Sequence, residues 1–345
     1  MRAREYDYYL PPGRVALTPA ARRDDARLLV YDPSRDEVFF DVFRNLGKYV
    51  PPRALLVLND TKVVPARLTL HKPTGGRVHA LLLLNELQPG STALKALLDR
   101  HVPKGALLRA GKSGGFRVVG NKGSVFDLRP DFPIARLRQL LEIAGAAPLP
   151  PYLRHSPLTE RERRQRYQSI FAKKAASVAA PTASMHFTNR LLSRLGASGV
   201  RKAYLTLHVG QGTFAPPTAD NFQKKKLHTE YYFVPSRTRT LLRHAKRDRR
   251  AVVAVGTTVA RALESSARNR GPGLKKTSLF ILPPHKFSSF DALLTNFHLP
   301  RSSLLCLLDA FLRSKKSRKS WRDLYRLAIR EKFRFYSFGD AMLIL

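Results

Sequence analysis

Four short stretches of the sequence bring together histidine, threonine, asparagine and small residues between apolar segments. They are Val178–Thr188, Thr206–Phe214, Val255–Glu264 and Thr295–Ser303, and Leu227–Glu230 adds a histidine and a glutamate to the second. Side chains of these types exchange protons and hydrogen bonds near neutral pH. α/β proteins place ligand sites where strands end in loops with glycine or proline. We therefore predict one shared ligand site rather than four separate helix caps or core histidines.

Several familiar sites are excluded or disfavoured by residue spacing. Gly210-x-Gly212 follows a strand-like segment, but Phe214-Ala215-Pro216-Pro217 comes next and cannot open the helix of a dinucleotide-binding loop. The sequence contains no GxxxxGK(S/T), HExxH or GxSxG motif. The single cysteine, Cys306, rules out an internal disulfide and a multi-cysteine zinc site. A zinc site built from four distant histidines remains a minor alternative.

Charged residues near these stretches have two interpretations. Arg261 and Glu264 lie three residues apart on a predicted helix, so they either pair on its surface or face a ligand. Arg67 follows the apolar segment Val63–Ala66 and presents the same choice. Both arginines are candidates for ligand binding.

The charge balance points to a polyanionic partner. Lys and Arg number 62 against 25 Asp and Glu, for a net charge of +37. Residues 311–334 and 224–250 each hold 10 basic and 2 acidic residues, and 161–166 form a third basic cluster. Aromatic residues lie among these cations, which suits phosphate contacts and base stacking. An anionic membrane surface is the alternative, through the basic helix at 320–332, although its apolar face is expected to pack in the core.

No segment of the sequence reads as a leader or a membrane span. The charged amino terminus has no apolar stretch after it, and the longest apolar runs are far shorter than a span. We therefore expect a soluble, cytoplasmic protein that faces RNA or DNA.

The elements that position these residues alternate between strand and helix. Strand-like segments at Arg27–Tyr31, Ala54–Leu58, Tyr204–Val209 and Ala251–Val255 are separated by helices that begin near Thr188, Ser236, Thr257 and Ser320. Residues 67–148 differ, since short apolar pieces there are separated by turn residues. We predict an α/β domain of residues 1–66 plus 149–345 with a small, all-β domain of residues 67–148 inserted in it. The Leu-Pro-Pro-Tyr segment at 149–152 is interpreted as a linker.

Eight blocks of the sequence resemble one known family, in the same order and essentially end to end. They are LVLNDTKVVPARL (56–68), LPPYLR (149–154), RYQSIFA (166–172), SVAAPTASMHFT (177–188), TLHVGQGTF (206–214), VGTTVARALES (255–265), LLTNFHLPRSSLL (293–305) and FRFYSFGDAMLI (333–344). Together they resemble the S-adenosylmethionine:tRNA ribosyltransferase-isomerases of queuosine biosynthesis. The strings are long and unusual, so the resemblance is specific.

The resemblance implies both a fold and a reaction. The fold is an α/β domain with a small β-barrel insertion. The reaction moves the ribosyl part of S-adenosylmethionine onto 7-aminomethyl-7-deazaguanine, at the wobble position of a tRNA with a GUN-type anticodon, and isomerises it to epoxyqueuosine. Adenine and methionine are released. S-adenosylmethionine is then a consumed substrate, and no cofactor, metal or membrane partner is expected for a protein that is predicted to be a monomer.

The resemblance also implies candidate residues. The reaction needs a base for a proton made acidic by the sulfonium, an acid for the departing adenine, and groups that hold the ribose. The candidates for proton transfer are His186, His208, His228 and His298, with Glu230 and Asp340 as carboxylates that act as a base or orient a histidine. The candidates for binding S-adenosylmethionine are Thr182, Gly210, Thr213, Thr257, Arg261, Asn296, Asn59 and Arg67. The three basic clusters, rather than the resemblance, supply the candidates for tRNA contacts, which are Arg163, Arg164, Lys224, Lys225, Arg243, Arg322, Arg326 and Arg334.

Four positions depart from the pattern of the family. Ser184 and Ala176 replace glycines, Pro284 stands in place of a glycine, and His79 replaces an acidic residue of the insertion. If either of the first two glycines needed a positive φ or a close approach of the backbone to a ligand, the replacement would narrow or distort the pocket. These departures and the charge excess support the alternative of a basic tRNA-binding relative that has lost turnover.

Overall fold

The structure, a computed structural model, describes residues 3–87, 90–112, 114–210, 216–269 and 271–345. The strands are β1 (Arg27–Asp32), β2 (Glu37–Val42), β3 (Leu55–Asn59), β4 (Thr61–Val63), β5 (Arg67–His71), β6 (Arg77–Leu82), β7 (Leu94–Leu98), β8 (Leu107–Arg109), β9 (Gly115–Lys122), β10 (Val125–Pro130), β11 (Lys174–Ser177), β12 (Arg201–Leu207), β13 (Lys226–Phe233), β14 (Val252–Val255), β15 (Lys275–Leu279), β16 (Ala292–Asn296) and β17 (Ala341–Ile344). The α-helices are α1 (Leu137–Ala144), α2 (Glu160–Arg166), α3 (Asn189–Ala197), α4 (Ala219–Lys224), α5 (Ser236–Arg247), α6 (Thr257–Arg268), α7 (Ser303–Ser314) and α8 (Trp321–Arg330).

Nine strands form one mixed sheet in the order β15-β13-β12-β3-β14-β16-β17-β1-β2. Its centre is parallel, because β3 pairs in parallel with both β12 and β14, and β14 pairs in parallel with β16. The carboxyl ends of these four strands therefore meet at one edge of the sheet. A ligand site is expected at that edge.

Apolar packing covers both faces of this sheet. In β3, Leu55 and Val57 join a core with α5 to α8, whereas Leu56 and Leu58 join a second core with α3. A central strand that is buried on both faces reads as a continuous apolar run, which explains the sequence Leu-Leu-Val-Leu at 55–58. The predicted α/β class is confirmed.

The inserted segment forms a closed antiparallel barrel in the order β10-β7-β6-β5-β8-β9. Alternate residues fill its interior: on β6, Val78, Ala80 and Leu82 are buried, while Arg77 and His79 are exposed. The β-barrel expectation is confirmed. Its strands run from Arg67 to Pro130, and residues 67–148 remain our proposal for the domain.

The chain passes between barrel and sheet through paired segments. β4, which precedes the barrel, pairs in parallel with β11, which follows it. Residues 149–152, interpreted as a linker, are packed rather than exposed: Leu149 is buried, and Pro151–Leu153 form a 3-10 turn. Buried apolar side chains hold this segment against the α/β core.

Two predicted helix starts are confirmed in detail. The Thr188 side chain accepts a hydrogen bond from the Leu191 amide at the start of α3. Ser320 and Asp323 form a reciprocal capping box at the start of α8, and that helix buries Trp321 and Leu324. Within the described ranges, no helix has the length and apolar character that crossing a membrane requires.

Candidate active site

A cleft opens at the carboxyl edge of the parallel strands. The empty space between its walls is about 670 Å³ when the part open to solvent is included. The loops after β12, β14 and β16 form much of its wall, and the segments around residues 152, 167, 182 and 336 complete it. The lining residues are Tyr152, Tyr167, Ala180, Pro181, Thr182, Ala183, Val209, Gly256, Thr257, Thr258, Thr295, Asn296, Phe297, His298, Leu299, Ser302, Leu304, Tyr336 and Ser337. Four candidates predicted from the sequence therefore share one cavity: Thr182, Thr257, Asn296 and His298.

The first turn of α6 forms one wall of the cleft. Gly256 turns the chain from β14 into α6 with a φ of 94°, a conformation that favours glycine. Among the described residues, the amides of Thr257 and Thr258 have no acceptor. Asn59 steadies this turn, since its Nδ2 lies 3.3 Å from Thr258 Oγ1. The cleft thus contains two free amides at the positive end of a helix dipole.

Asn296 links the floor of the cleft to a neighbouring loop. Its Nδ2 donates to the carbonyl of Tyr336 at 3.0 Å, and its Oδ1 accepts from His186 Nε2 at 3.3 Å. His186 itself does not line the cleft; its ring packs on Phe43 with centroids 5.0 Å apart. His186 therefore lies one layer behind the cleft, where it orients Asn296.

His298 is the histidine that faces the cleft. Its Nε2 lies 2.9 Å from Thr295 Oγ1, and its amide donates to the Tyr325 hydroxyl at 2.9 Å. Burial lowers the pKa of His298 to about 3, so its imidazole is neutral at physiological pH. A fixed, neutral imidazole can accept a proton at one nitrogen.

The other two candidate histidines lie elsewhere. His208 Nδ1 contacts Thr61 Oγ1 at 2.8 Å, and burial lowers the pKa of His208 to about 4. His228 is exposed on β13. The part of the chain that the structure describes contains no group of three or more potential metal ligands, so the histidines are not gathered into a zinc site.

The buried charges pair over long sequence separations. Arg261 bonds through Nη1 to Glu230, and Glu230 also accepts from the Gly210 amide at 2.9 Å. Glu264 accepts from the Ser288 amide at 3.1 Å and lies 3.2 Å from His285. The alternative that Arg261 and Glu264 pair with each other on the surface is wrong, because both are buried with other partners.

The remaining candidates for the site are held by backbone groups. Asp340 accepts from the amides of Arg27 and Arg334 at 2.9 and 2.7 Å. Asn59 Oδ1 accepts from the amides of Thr61 and Leu207 at 3.1 and 3.0 Å. The Arg67 guanidinium donates to the carbonyl of Leu149 at 3.2 Å. These contacts stabilise the loops around the cleft. Thr213 lies outside the described residues.

Half of the candidate tRNA contacts are exposed on helices. Lys224 forms an ion pair with Asp220 at 2.9 Å, and Lys225 ends α4 with a φ of 51°. Arg326 is 77% exposed. Arg243 lines a groove beside Val252 and Asp291, at the amino-terminal ends of β14 and β16. That groove lies at the edge of the sheet opposite the cleft.

The other half of the candidate tRNA contacts have structural partners. Arg163 donates to the carbonyl of Ser156 at 2.9 Å, and Arg164 bonds to Glu160 and to carbonyls at the end of α1. Arg322 lies 4.5 Å above the Trp321 ring. Arg334 donates to the carbonyl of Thr18 at 3.2 Å. These four cations are thus already held by contacts within the protein.

Sequence reasoning missed three tyrosines of the cleft. Tyr152 was interpreted as part of a linker, and Tyr167 and Tyr336 were not among the candidates, yet all three line the cleft. Tyr167 is buried. The sequence did contain a signal for these tyrosines. Each stands in a block that carries the family resemblance, at a position where no strand or helix pattern requires an aromatic residue.

The substituted glycine positions are not strained. Neither Ser184 nor Ala176 has a positive φ. Ser184 is buried in the 3-10 turn of Thr182–His186, and no described residue pairs with its hydroxyl. Neither substitution therefore requires a backbone conformation that favours glycine, and their effect on a ligand that approaches closely stays a prediction. His79 is exposed on the barrel, away from the cleft.

Replacing His186 with glutamine is expected to weaken the dependence of stability on pH. Burial lowers the pKa of His186 from 6.5 to about 4. The unfolded chain therefore binds more protons between those values, and the free energy of unfolding falls as pH drops from 6.5 towards 4. Wild type should lose about 1.4 kcal/mol per pH unit more than the variant. Urea unfolding at pH 6.0, 5.5 and 5.0 measures this, with His244→Gln on exposed helix α5 as the control. Equal slopes for wild type and His186→Gln would contradict the burial argument.

Comparisons with known proteins agree over the full length. A model of the family described as queuosine biosynthesis protein matches residues 3–344. A curated protein of Rubrobacter xylanophilus named S-adenosylmethionine:tRNA ribosyltransferase-isomerase is 44% identical, over 100% of this chain and 98% of its own. A Thermus thermophilus protein of the same name is 44% identical, over 99% and 98%. The crystal structure of S-adenosylmethionine tRNA ribosyltransferase from Thermotoga maritima matches with a TM-score of 0.55 and 31% identity, over 99% of this chain and 100% of that one.

Proposed function

This chain belongs to the queuosine biosynthesis protein family, and we propose that it transfers the ribosyl part of S-adenosylmethionine to a tRNA base and isomerises it. Its curated relatives are named as S-adenosylmethionine:tRNA ribosyltransferase-isomerases, so it is a transferase of this class. The acceptor we propose is 7-aminomethyl-7-deazaguanine at the wobble position of a tRNA with a GUN-type anticodon. The products are epoxyqueuosine in the tRNA, adenine and methionine.

The observation that carries this proposal is the composition of the cleft. The described residues that line it supply hydroxyls, amides, aromatic rings and one neutral histidine, but no charged side chain. Such a surface holds a ribose and a heterocycle by hydrogen bonds and ring contacts. We propose that S-adenosylmethionine binds here as a consumed substrate, with no further cofactor.

The wall at α6 gives the substrate an orientation. The free amides of Thr257 and Thr258 stand at the positive end of the α6 dipole, where negative groups are stabilised. The carboxylate of the methionine part is the negative group of this substrate. We place it at these amides, in the cleft that Asn296 and His298 also line.

His298 is our proposal for the proton-transfer group. It contacts the cleft directly, whereas His186, His208 and His228 do not line it. Because burial lowers its pKa, the imidazole is neutral at physiological pH, so one ring nitrogen can accept a hydrogen bond or a proton from the bound substrate. Thr295 fixes the ring through Nε2. Roles for the other histidines, Glu230 and Asp340 remain predictions.

The net charge of +37 supports tRNA as the polyanionic partner. Among the candidates, Lys224, Lys225 and Arg326 are exposed and able to reach phosphates without losing a buried contact. Arg243 is also exposed, at the opposite edge of the sheet. We propose that the protein works in the cytoplasm as a monomer.

Adenine release tests the function directly. The protein is incubated with S-adenosylmethionine and either tRNA carrying 7-aminomethyl-7-deazaguanine or the same tRNA with guanine. We expect adenine only with the modified tRNA, because the exocyclic amine is the acceptor of the ribosyl group. Release with neither tRNA, with tRNA binding intact, would reject the proposed function and leave a non-catalytic tRNA-binding protein.

A further inference from the structure

One residue of the cleft has an unusual backbone. Tyr336 has a φ of 75°, in the left-handed region that disfavours every side chain. Hydrogen bonds hold it there: its amide donates to the Phe297 carbonyl at 3.0 Å, and its carbonyl accepts from Asn296 at 3.0 Å and from Gly339 at 3.1 Å. Residues kept in such conformations cluster at functional sites.

This backbone places the Tyr336 ring against that of Tyr152. The ring centroids are 4.7 Å apart and the planes are inclined by 56°. The Tyr152 hydroxyl accepts from the Ser337 amide at 3.1 Å and also contacts the Ser337 hydroxyl. The two rings therefore form an aromatic corner in the wall of the cleft.

The corner matters because the substrate brings a positive charge. S-adenosylmethionine is a sulfonium, and the described residues lining the cleft include no carboxylate. Burial raises the pKa of both Tyr152 and Tyr336 to about 12, so neither phenol supplies an anion at physiological pH. The faces of aromatic rings attract cations without neutralising them.

We propose that the aromatic corner of Tyr152 and Tyr336 binds the sulfonium group of S-adenosylmethionine. This inference rests on the proposed function and assigns its charge recognition to two residues. A sulfonium that is bound by ring faces is not neutralised, so it continues to withdraw electrons from the carbon atoms bonded to it. The adjacent carbon therefore remains acidic, whereas a carboxylate beside the sulfur would oppose removal of the proton.

The test compares a charged ligand with its neutral analogue. Dissociation constants of S-adenosylmethionine and S-adenosylhomocysteine are measured by calorimetry, with guanine-bearing tRNA present so that no turnover occurs. Tyr336→Gly removes the ring and adopts the same φ without strain. We expect it to weaken S-adenosylmethionine binding about tenfold and to change S-adenosylhomocysteine binding much less.

Two further variants keep the test interpretable. Tyr336→Phe retains the ring and is expected to keep the preference of wild type for the sulfonium. Tyr152→Leu removes the other ring at an ordinary backbone position and is expected to reduce that preference as Tyr336→Gly does. Far-ultraviolet circular dichroism shows whether each variant is folded.

The outcomes separate the inference from the function it rests on. If wild type releases adenine but both ring-removing variants keep its preference for the sulfonium, or weaken both ligands equally, the aromatic corner does not read the charge. If wild type binds S-adenosylmethionine no better than S-adenosylhomocysteine, the inference is also overturned. If wild type releases no adenine from modified tRNA, the proposed function fails, and the inference fails with it.

Discussion

Replacing His298 with alanine is expected to lower kcat for adenine release by about a hundredfold or more, because a positioned general acid or base contributes about that much. The ring lines the cleft, and burial lowers its pKa to about 3. It is held through Thr295 and through the backbone bond to Tyr325. Affinity for tRNA should change little, since the loss affects a proton transfer rather than phosphate contacts.

Thr295→Val is the matched variant for the role of His298. It keeps the shape of the side chain, removes the oxygen 2.9 Å from Nε2, and should lower kcat by a smaller factor than His298→Ala. His244→Ala, at an exposed position on α5, should leave kcat unchanged. Rates are measured as adenine released under saturating S-adenosylmethionine and modified tRNA. A kcat for His298→Ala within about threefold of wild type would remove His298 from the proton transfers.

His186→Ala separates catalysis from positioning. If His186 only orients Asn296, its loss should lower kcat indirectly, because Asn296 would no longer be fixed and Asn296 holds the loop at Tyr336. A hundredfold loss for His186→Ala, combined with an active His298→Ala, would instead assign the proton transfer to His186. Measuring the two variants side by side therefore decides between the two histidines.

Strand ends were the informative part of the sequence. The stretches that contain Thr182, Thr257, Asn296 and His298 were singled out because polar residues there follow apolar segments, and all four residues line the cleft. This worked because β14 and β16 are parallel neighbours, so their carboxyl ends meet at one edge. Local periodicity predicts where a strand ends, and the general behaviour of parallel sheets supplies the rest.

The aromatic residues of the cleft could not be predicted from strand ends. The position of the Tyr336 ring depends on its positive φ. Hydrogen bonds with Asn296 and Phe297, about 40 residues away in the chain, maintain that φ. Tyr152 belongs to a proline-rich segment, and proline alone indicates a turn or a linker. Neither the φ nor the packing of that segment is encoded by neighbours in sequence. Contacts over such separations are a property of the assembled fold.

Arg261 and Glu230 show the same limit for charged residues. Spacing on a helix suggested Glu264 as the partner of Arg261, because only neighbours three or four apart are visible to such an argument. The actual partner lies 31 residues earlier, on β13. Both were predicted to act on the substrate, but neither lines the cleft, and the Arg261 side chain is 8% exposed and that of Glu230 4%.

Replacing Arg261 with methionine is expected to lower the free energy of unfolding by about 3–5 kcal/mol, because it leaves the Glu230 carboxylate buried without a cation. Adding Glu230→Gln removes that charge while keeping an oxygen for the Gly210 amide, so the double variant should regain much of the loss. Urea unfolding of wild type, both single variants and the double variant gives the coupling between them. The exposed pair of Lys224 and Asp220 is the control, and removing it should cost less than about 1 kcal/mol.

The activity of the double variant then shows whether the pair of Arg261 and Glu230 serves only the fold or also binds the substrate. A folded double variant that releases adenine at a rate near that of wild type would mean that the ion pair holds β13 to α6 and takes no part in binding. A folded double variant that no longer binds S-adenosylmethionine would show that Arg261 takes part in binding the substrate. Loss of stability below about 1 kcal/mol for Arg261→Met would contradict the burial of the pair itself. Two independent measurements, one of folding and one of binding, thus determine the roles of Arg261 and Glu230.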